Sequence, residues 1–413
     1  MQENQNQNNT EENQPLVAKG IVPGLVTGAS DNDPAGIATY SLSGIRFGYG
    51  QLWLLVLTTP MLIALQSMVA RIAIVTKKGL ATNFKNVYSR NVAFGAVALL
   101  VVANVLTIGA NIAAMSEAAA LLVPGTSLIN WVVPVSFIMW YVVVFLNYKH
   151  ITQYFLWLIL FYLAFIFSAI LAKPDWGEIF VSIVKPAISL NKEFLLASVA
   201  LIGTTIAPYL FFWEPREVIE DKTPVRLAKW QNWLQAPGFI LSNFVAFMII
   251  VATGTLLFGN IEGEVTAVQV AQALEPVAGE YAKLLFAIGI LGAGFLAVPV
   301  LASSSAFGIT ELLGWREGLS QKFNKAIGFY GLISVSILVG IQIAISGFDP
   351  LKALFLSQVI AGLLAPPLIF LILLLANNKK VMGKYTNGWF ENIFGVLALL
   401  ALLASGLGLI LLF

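Results

Sequence analysis

A series of long apolar runs constrains this chain more than any other feature of its sequence. A helix that crosses a bilayer needs about 20 predominantly apolar residues, and eleven runs have about that length or more. They cover approximately residues 20–46, 50–76, 92–123, 129–148, 151–171, 193–221, 233–258, 281–312, 326–346, 350–376 and 389–412. Of all residues, 58% are hydrophobic and only 11% are charged. We therefore predict an all-α integral membrane protein with 11 transmembrane helices.

Composition excludes several classes of function. The chain has no Cys and a single His, His150, so it has no disulfide framework, thiolate metal site or His cluster. Any metal ion must be bound mainly by oxygen ligands. The net charge of +2 is too small to indicate a nucleic-acid partner, and the absence of a G-x-x-x-x-G-K-[ST] loop argues against an ATP-driven pump. We expect neither enzymatic activity nor a cofactor.

The distribution of positive charge predicts how the chain crosses the membrane. With a cytosolic N-terminus, 16 of the 23 Lys and Arg residues fall in cytosolic segments and six fall on the outer side. Short loops rich in Lys and Arg remain in the cytosol. We expect a multi-pass protein of the cell (plasma) membrane with an extracellular C-terminus. Residues 1–16, which are rich in Asn, Gln and Glu, are predicted to be a disordered cytosolic tail.

Two predicted helices are interrupted by residues that disfavour a continuous helix. Residues 33–36, Asp-Pro-Ala-Gly, lie in the middle of the first span, and residues 203–209, Gly-Thr-Thr-Ile-Ala-Pro-Tyr, lie at the corresponding place in the sixth. Pro34 and Pro208 each remove a backbone N–H and are candidate hinges. Unpaired backbone groups are tolerated at membrane depth only where they line a cavity or are buried in protein. The alternative is that both prolines merely kink packed helices.

The separation of the two breaks by five helices predicts an internal repeat. An odd number of helices in each unit makes the two units run in opposite directions through the membrane. Paired broken helices at equivalent positions point to a transport site near the bilayer midplane. We predict a transporter core over residues 17–376, with helices 1–5 and 6–10 as inverted repeats, and an extra C-terminal helix over residues 377–413.

Several stretches resemble the Nramp divalent-metal transporters. NDPAGIATY (32–40) is similar to the Asp-Pro-Gly-Asn motif of that family's first helix, and IAPYLFF (206–212) is similar to its sixth-helix Met-Pro-His motif. LQSMVARIAIVTKKGLA (65–81) and residues 354–387, whose Ser-Gln pair ends at Gln358, extend the likeness over nearly the whole chain. The resemblance implies a LeuT-type fold with a 5+5 inverted repeat and broken helices 1 and 6. It also implies transport of divalent metal ions.

The chain departs from the family at the implied metal site. Gly36 stands where the family has Asn, and Ala207 stands where it has a thioether ligand. Sulfur favours transition metals, so its loss removes a reason to prefer Mn²⁺ or Fe²⁺ over Mg²⁺ or Ca²⁺. Mg²⁺ keeps several waters while it contacts one or two carboxylates, and small residues at Ala35, Gly36 and Ala207 leave space around Asp33 for a partly hydrated ion. This pattern resembles the Nramp-related magnesium transporters.

The resemblance also implies a proton pathway, from which the chain departs as well. The acidic pair of the family's third helix aligns with Asn111 and Ala114, and Tyr209 stands where the family has His. Neither an amide nor a methyl group takes up a proton at physiological pH. Glu117, on the same helical face as Ala114, is either a substitute or an interior carboxyl with a structural role. Asn111, Glu117 and Tyr209 mark the possible proton pathway.

Six residues are predicted to form the metal site. They are Asp31, Asp33, Gly36, Thr204, Ala207 and Gln358. Asp33 is the expected ligand, directly or through water, and carbonyls near Ala207 would add neutral oxygens. Asp31 either attracts cations into an inner vestibule or stabilises its helix. Thr204 and Gln358 either contact the ion or its water, or make hydrogen bonds within and between helices.

These observations favour a secondary transporter for divalent metal ions that works by alternating access. Mg²⁺ is the expected substrate, Mn²⁺ is expected to be carried too, and coupling to protons is not expected. The alternatives are a proton-coupled Mn²⁺/Fe²⁺ transporter of the Nramp type, an organic-solute symporter on the same fold, and a non-transporting sensor or scaffold. Residues 214–230, which mix both charge signs, are expected to form a solvated cytosolic loop near the inner gate.

Overall fold

A computed structural model describes residues 28, 32–145, 155–186, 188–261 and 263–412. Within these ranges every regular element is helical. In chain order the α-helices are α1 Pro34–Phe47, α2 Leu52–Thr76, α3 Leu80–Val87, α4 Arg90–Leu122, α5 Leu128–Phe145, α6 Phe155–Leu171, α7 Trp176–Val184, α8 Lys192–Thr205, α9 Leu210–Glu220, α10 Gln231–Leu257, α11 Ala267–Gln272, α12 Glu275–Ala278, α13 Ala282–Leu313, α14 Ile327–Ala344, α15 Pro350–Ala376, α16 Lys379–Met382 and α17 Trp389–Leu412. Short 3₁₀ helices cover Val225–Trp230, Gly279–Tyr281, Phe323–Lys325 and Gly383–Tyr385.

Each of the eleven predicted spans contains a helix in the described part of the chain. Nine helical stretches there are long and apolar enough to cross a membrane. The first and fifth spans hold shorter helices, of 14 residues in α1 and 17 in α6. The beginnings of both spans fall largely outside the described residues, as does the predicted tail, residues 1–16.

The helices pack as two groups with a shared boundary. In the first group, α1 and α2 contact α10. Of the two halves of the sixth span, α8 contacts α1 and α2, and α9 contacts α2. In the second group, α4 contacts α5, α13 and α14. The tenth-span helix α15 contacts both α8 and α4, and therefore joins the two groups. The two broken spans lie in the first group, and α4 borders them from the second.

Glycine pairs allow the helix backbones to approach closely at two of these interfaces. A Cβ added to Gly203 of α8 would lie 2.6 Å from the backbone N of Gly362 in α15. A Cβ added to Gly109 of α4 would lie 3.2 Å from the carbonyl oxygen of Gly340 in α14. Small residues of this kind are typical of packed membrane helices, because association there depends on close van der Waals contact.

The first part of residues 214–230 is not the solvated loop that the sequence predicted. Residues 214–220 continue helix α9, and Glu214 is fully buried where its carboxylate accepts a hydrogen bond from Gln235 of α10. The prediction was wrong here because charge composition does not show that acidic and basic side chains have partners on neighbouring helices. Helix α9 packs against α2 and α13, and it remains inside the protein for most of its length.

Candidate metal site

The break in the first span lies immediately before α1. Asp33 is the N-cap residue of α1, with an extended backbone (φ −75°, ψ 171°), and its side chain accepts a hydrogen bond from the backbone N of Gly36 at 2.6 Å. Pro34 occupies the first helical position, where a missing N–H costs nothing. The sequence placed the interruption over residues 33–36, but Pro34 to Gly36 form the first turn of the helix. Pro34 therefore begins a helix here and does not interrupt one.

The break in the sixth span separates α8 from α9 by residues 206–209. Pro208 has no N–H, so the carbonyl of Thr204 lacks the partner that it would have in a continuous helix. The carbonyls of Ala207 and Pro208 accept hydrogen bonds from Leu210 N and Phe211 N, both at 3.2 Å. The sequence predicted free carbonyls at this break, whereas both carbonyls are hydrogen-bonded in the structure. Each carbonyl oxygen still has a second lone pair that can contact an ion or a water.

The two breaks and helix α4 bring four of the predicted residues together. The Asp33 side chain is buried, and its Oδ2 accepts a hydrogen bond from Asn111 Nδ2 of α4 at 3.1 Å. The Cβ position of Gly36 lies 3.3 Å from Asp33 Oδ1 and 3.1 Å from Thr204 Oγ1 of α8. Asp33, Gly36, Thr204 and Asn111 therefore surround one point at which three helices meet. Helix α1 also directs its N-terminal dipole toward the Asp33 carboxylate.

Residues that the sequence analysis did not identify hold the first break open. The hydroxyl of Tyr162 in α6 donates to the carbonyl of Asn32 at 2.7 Å. The Asn32 side chain donates from Nδ2 to Ser242 Oγ of α10 at 3.0 Å. These bonds replace helical partners for the unwound backbone. The one available sequence signal was the presence of polar Asn32 and Ser242 in otherwise apolar spans.

Two further candidates lie next to the sixth-span break, and one cannot be placed. Gln358 of α15 is buried, with Nε2 3.3 Å from Ser357 Oγ, and α15 is in close contact with α8 around Gly203. Tyr209 is buried directly before α9. Asp31 lies outside the described residues.

Glu117 lies at a different place from the Asp33 carboxylate. It is half-buried and faces a cavity of about 20 Å³, enough for one water molecule. The cavity is lined by Ala38 of α1, Ala114 and Glu117 of α4, Phe286 of α13, and Leu351 and Leu354 of α15, among others. As the sequence predicted, Ala114 and Glu117 share a helical face. With the N-terminus in the cytosol, this cavity lies on the outer side of Asp33.

Among the described residues, the donor set at the two breaks consists of one carboxylate with neutral oxygens. In the ranges that the structure describes, no three His, Cys, Asp or Glu side chains form a group that could hold a metal ion. A cation bound here would contact Asp33 together with hydroxyl, amide and carbonyl oxygens. Hard cations such as Mg²⁺ accept such ligands, and Mg²⁺ typically keeps several of its waters.

Comparison with known protein families shows the family to which this chain belongs. The family described as natural resistance-associated macrophage protein-like, abbreviated Nramp, matches residues 24–412. This protein belongs to the Nramp family. The match covers both broken spans and the last helix, so the whole membrane-embedded part of the chain is of the Nramp type.

Curated relatives of this Nramp chain are similar over nearly their full length. A divalent metal cation transporter, MntH, from Caldanaerobacter subterraneus subsp. tengcongensis is 26% identical over 404 residues, covering 92% of this chain and 89% of the relative. MntH from Verminephrobacter eiseniae is 25% identical over 405 residues, covering 94% and 88% of the two chains.

Solved structures confirm the predicted fold. A manganese transporter from Eremococcus coleocola superposes with a TM-score of 0.77 at 20% identity, over 95% of this chain and 86% of that one. Mhp1, a nucleobase-cation-symport-1 family transporter, gives a TM-score of 0.63 at 14% identity, over 95% and 90%. The LeuT-type fold, with two inverted five-helix repeats and broken helices 1 and 6, is therefore confirmed.

Within the Nramp fold, the departures of this sequence cluster around Asp33. Gly36 and Ala207, which the sequence resemblance places at the family's Asn and thioether positions, lie at the first and second breaks respectively. Asn111, which the resemblance aligns with an acidic residue of the family, contacts the Asp33 carboxylate directly. The predicted substitutions are thus not scattered over the chain, because most of them alter the surroundings of a single carboxylate.

Proposed function

We propose that this protein carries divalent metal ions across the plasma membrane by alternating access, with Asp33 as the central ligand. The observation that carries the proposal is the buried Asp33 carboxylate at the junction of two broken helices and α4. Ionisable groups at membrane depth are costly and mark ion pathways, and broken helices of inverted repeats form midplane sites. The names of the MntH relatives and of the solved manganese transporter support the same substrate class.

Within this class, we propose that Mg²⁺ is the preferred ion and that Mn²⁺ is also carried. Ala207 supplies no sulfur at the sixth-span break, so the site lacks the soft ligand that favours transition metals. Thr204, Asn111 and backbone carbonyls supply neutral oxygens, which suit a partly hydrated hard cation. This assignment to the magnesium-transporting branch goes beyond the relatives, whose names specify divalent metals or manganese.

The membrane potential is the proposed driving force. An inside-negative potential contributes about 4.6 kcal/mol per 100 mV to the entry of a divalent cation, twice the value for a single charge. Accumulation therefore does not require proton coupling. The proposal includes the predicted orientation, with the N-terminus in the cytosol and the C-terminus outside. The division into a core over residues 17–376 and an added helix over 377–413 also stays a prediction.

A second candidate function is proton-coupled transport of Mn²⁺ or Fe²⁺. Glu117 favours it, because this carboxyl lines a cavity on the outer side of the Asp33 site and is a possible proton carrier. The name of the solved manganese transporter favours it as well. An organic-solute symporter, the other alternative, has less support, because the Asp33 carboxylate would repel an anionic substrate group.

Uptake by purified protein in liposomes tests these functions. Mg²⁺ and Mn²⁺ influx would be recorded together with internal pH for the wild type and for Asp33→Ala. The matched control is Asp175→Ala, because Asp175 also caps a helix N-terminus but is exposed at α7. We expect Mg²⁺ influx without acidification in the wild type and the control, and loss of influx in Asp33→Ala.

The other outcomes separate the candidates. Mn²⁺ influx with acidification and no Mg²⁺ influx would establish the second candidate and refute the magnesium assignment. Influx of neither ion into well-folded wild-type proteoliposomes would refute divalent-metal transport altogether. Equal activity of Asp33→Ala and the wild type would remove Asp33 from the site.

A further inference from the structure

Asn111 connects helix α4 to the break in the first helix. Its side chain is fully buried, and Nδ2 donates to Asp33 Oδ2 at 3.1 Å. An amide oxygen in that position would repel the carboxylate, so the N–H side of the amide must face Asp33. The planar amide then directs Oδ1 away from the Asp33 carboxylate while keeping it next to the candidate site.

The Asn111 Oδ1 atom is a buried acceptor without a donor. Among the residues that the structure describes, it has no hydrogen-bond partner. Most buried polar atoms in proteins are paired with protein groups or with ordered water. The surroundings of Asp33 offer another source of donors, because each water on a bound cation presents O–H groups to nearby oxygens.

We propose that Asn111 is a specificity-determining residue of the metal site. Its N–H group fixes the Asp33 carboxylate, and its Oδ1 accepts a hydrogen bond from a water that the bound ion retains. This proposal rests on the proposed function and deepens it, because it assigns a residue to recognition of the hydrated ion. Mg²⁺ gives up its waters reluctantly, so a fixed acceptor for a retained water favours Mg²⁺ over ions that dehydrate more easily.

A neutral amide suits this task better than a carboxylate would. An amide oxygen accepts a hydrogen bond without adding a second negative charge beside Asp33. Two adjacent carboxylates would draw the cation into direct contact and favour the loss of its waters. Asn111 therefore provides an acceptor while leaving Asp33 as the one anionic group of the described site.

The competing interpretation is a helix-to-helix hydrogen bond with no role in ion recognition. Asn104 provides a control, because it makes a helix-to-helix hydrogen bond of this kind. It is buried on the same face of α4, two turns before Asn111, and its Nδ2 donates to Leu301 O and Ser304 Oγ of α13, both at 3.1 Å. Replacing Asn104 removes an equivalent interhelical contact away from Asp33.

The test compares Asn111→Leu with Asn104→Leu in the full-length purified protein. Dissociation constants for Mg²⁺ and Mn²⁺ would be measured by titration calorimetry, and thermal unfolding would be followed for each variant. We expect Asn111→Leu to weaken Mg²⁺ binding by about tenfold or more, and Mn²⁺ binding by less, since it removes both a positioning donor and a water acceptor. Asn104→Leu should bind Mg²⁺ within about twofold of the wild type, even if its thermal stability falls.

Three results would overturn the inference. The first is wild-type Mg²⁺ affinity in folded Asn111→Leu, and the second is equal weakening by both leucine variants. The third is an equal loss of Mg²⁺ and Mn²⁺ affinity. Asn111→Ala, which removes the same groups without added bulk, decides the question if Asn111→Leu does not fold. Failure of the wild type to bind either ion would refute the proposed function itself, whereas normal wild-type binding with unaffected Asn111 variants would refute only this inference.

Discussion

Arg216 of α9 donates from Nε to Glu311 Oε1 of α13 across 2.8 Å, and thereby joins the second half of the broken sixth helix to the end of the eighth-span helix. The other carboxylate oxygen of Glu311 accepts a hydrogen bond from the backbone N of Thr82 in α3 at 2.9 Å. Arg216 also pairs with Glu317, which follows α13. We call Arg216, Glu311, Glu317 and Thr82 the Arg216 cluster. In the predicted orientation it lies on the cytosolic side of the protein, where it links three segments of the chain.

Removing Arg216 should open that side. The Glu311 side chain is only 1% exposed, so Arg216→Ala would leave a buried carboxylate without its cation and would destabilise the closed arrangement. The chain contains no Cys, so Ala207→Cys can serve as a single reporter at the site. We expect a membrane-impermeant maleimide added from the cytosolic side to label Ala207→Cys about tenfold faster when Arg216→Ala is also present. A tenfold change corresponds to a shift of about 1.4 kcal/mol in the equilibrium between the closed and open arrangements.

The exposed ion pair between Lys352 and Glu264 is the control for this experiment. Its atoms are 2.5 Å apart, but the side chains are 55% and 74% exposed, and such pairs contribute little. Lys352→Ala should therefore leave the labelling rate unchanged. An unchanged rate in Arg216→Ala as well would show that the Arg216 cluster does not control cytosolic access.

Space at Gly36 should be required for ion transport. In Gly36→Ala the new Cβ would lie 3.1 Å from Thr204 Oγ1 and 3.3 Å from Asp33 Oδ1, which narrows the site between the two breaks. We expect Mg²⁺ uptake to fall by roughly tenfold while the protein remains folded, because overpacking of this size costs about 1–3 kcal/mol. The control is Gly331→Ala in α14, where a Cβ meets no atom within 4 Å. Wild-type uptake in Gly36→Ala would show that the ion does not occupy this space.

A thioether at position 207 should change the ion preference. Sulfur binds Mn²⁺ and Fe²⁺ better than Mg²⁺, so Ala207→Met is expected to raise the Mn²⁺-to-Mg²⁺ uptake ratio by about tenfold. Ala207→Leu has a similar volume without sulfur and separates the effect of chemistry from that of size. The same ratio in the Met and Leu variants would mean that position 207 does not contact the ion.

Glu117 should assist cation entry without carrying protons. Glu117 lines the cavity that lies on the outer side of Asp33 in the predicted orientation, and a negative group there raises the local cation concentration. Glu117→Gln is expected to slow Mg²⁺ uptake by roughly two- to fivefold at low ionic strength, with no change in internal pH. Glu280→Gln, at an exposed position that is on the outer side in the predicted orientation, should have no effect. Acidification that accompanies uptake by the wild type and disappears in Glu117→Gln would favour the proton-coupled candidate.

Hydropathy and backbone chemistry predicted the architecture of the protein well. All eleven apolar spans contain helices, because membrane-spanning segments must be apolar and must satisfy their own backbone hydrogen bonds. Pro208 and the Asp33-Pro34 pair indicated the two breaks, since proline removes a backbone donor wherever it occurs. The break at Asp33 was misplaced by a few residues, because proline is equally suited to the first turn of a helix.

The sequence by itself thus determined the membrane-spanning helices, the two breaks and Asp33 as the candidate ligand, because each depends on residues that are neighbours along the chain. Only the tertiary structure decided the partners of these residues. Asn111 contacts Asp33 across 78 positions, Arg216 reaches Glu311 across 95, and Tyr162 reaches Asn32 across 130. Such pairs depend on how each helix is rotated and packed against the others. In uniformly apolar helices the sequence provides little periodic signal for that rotation.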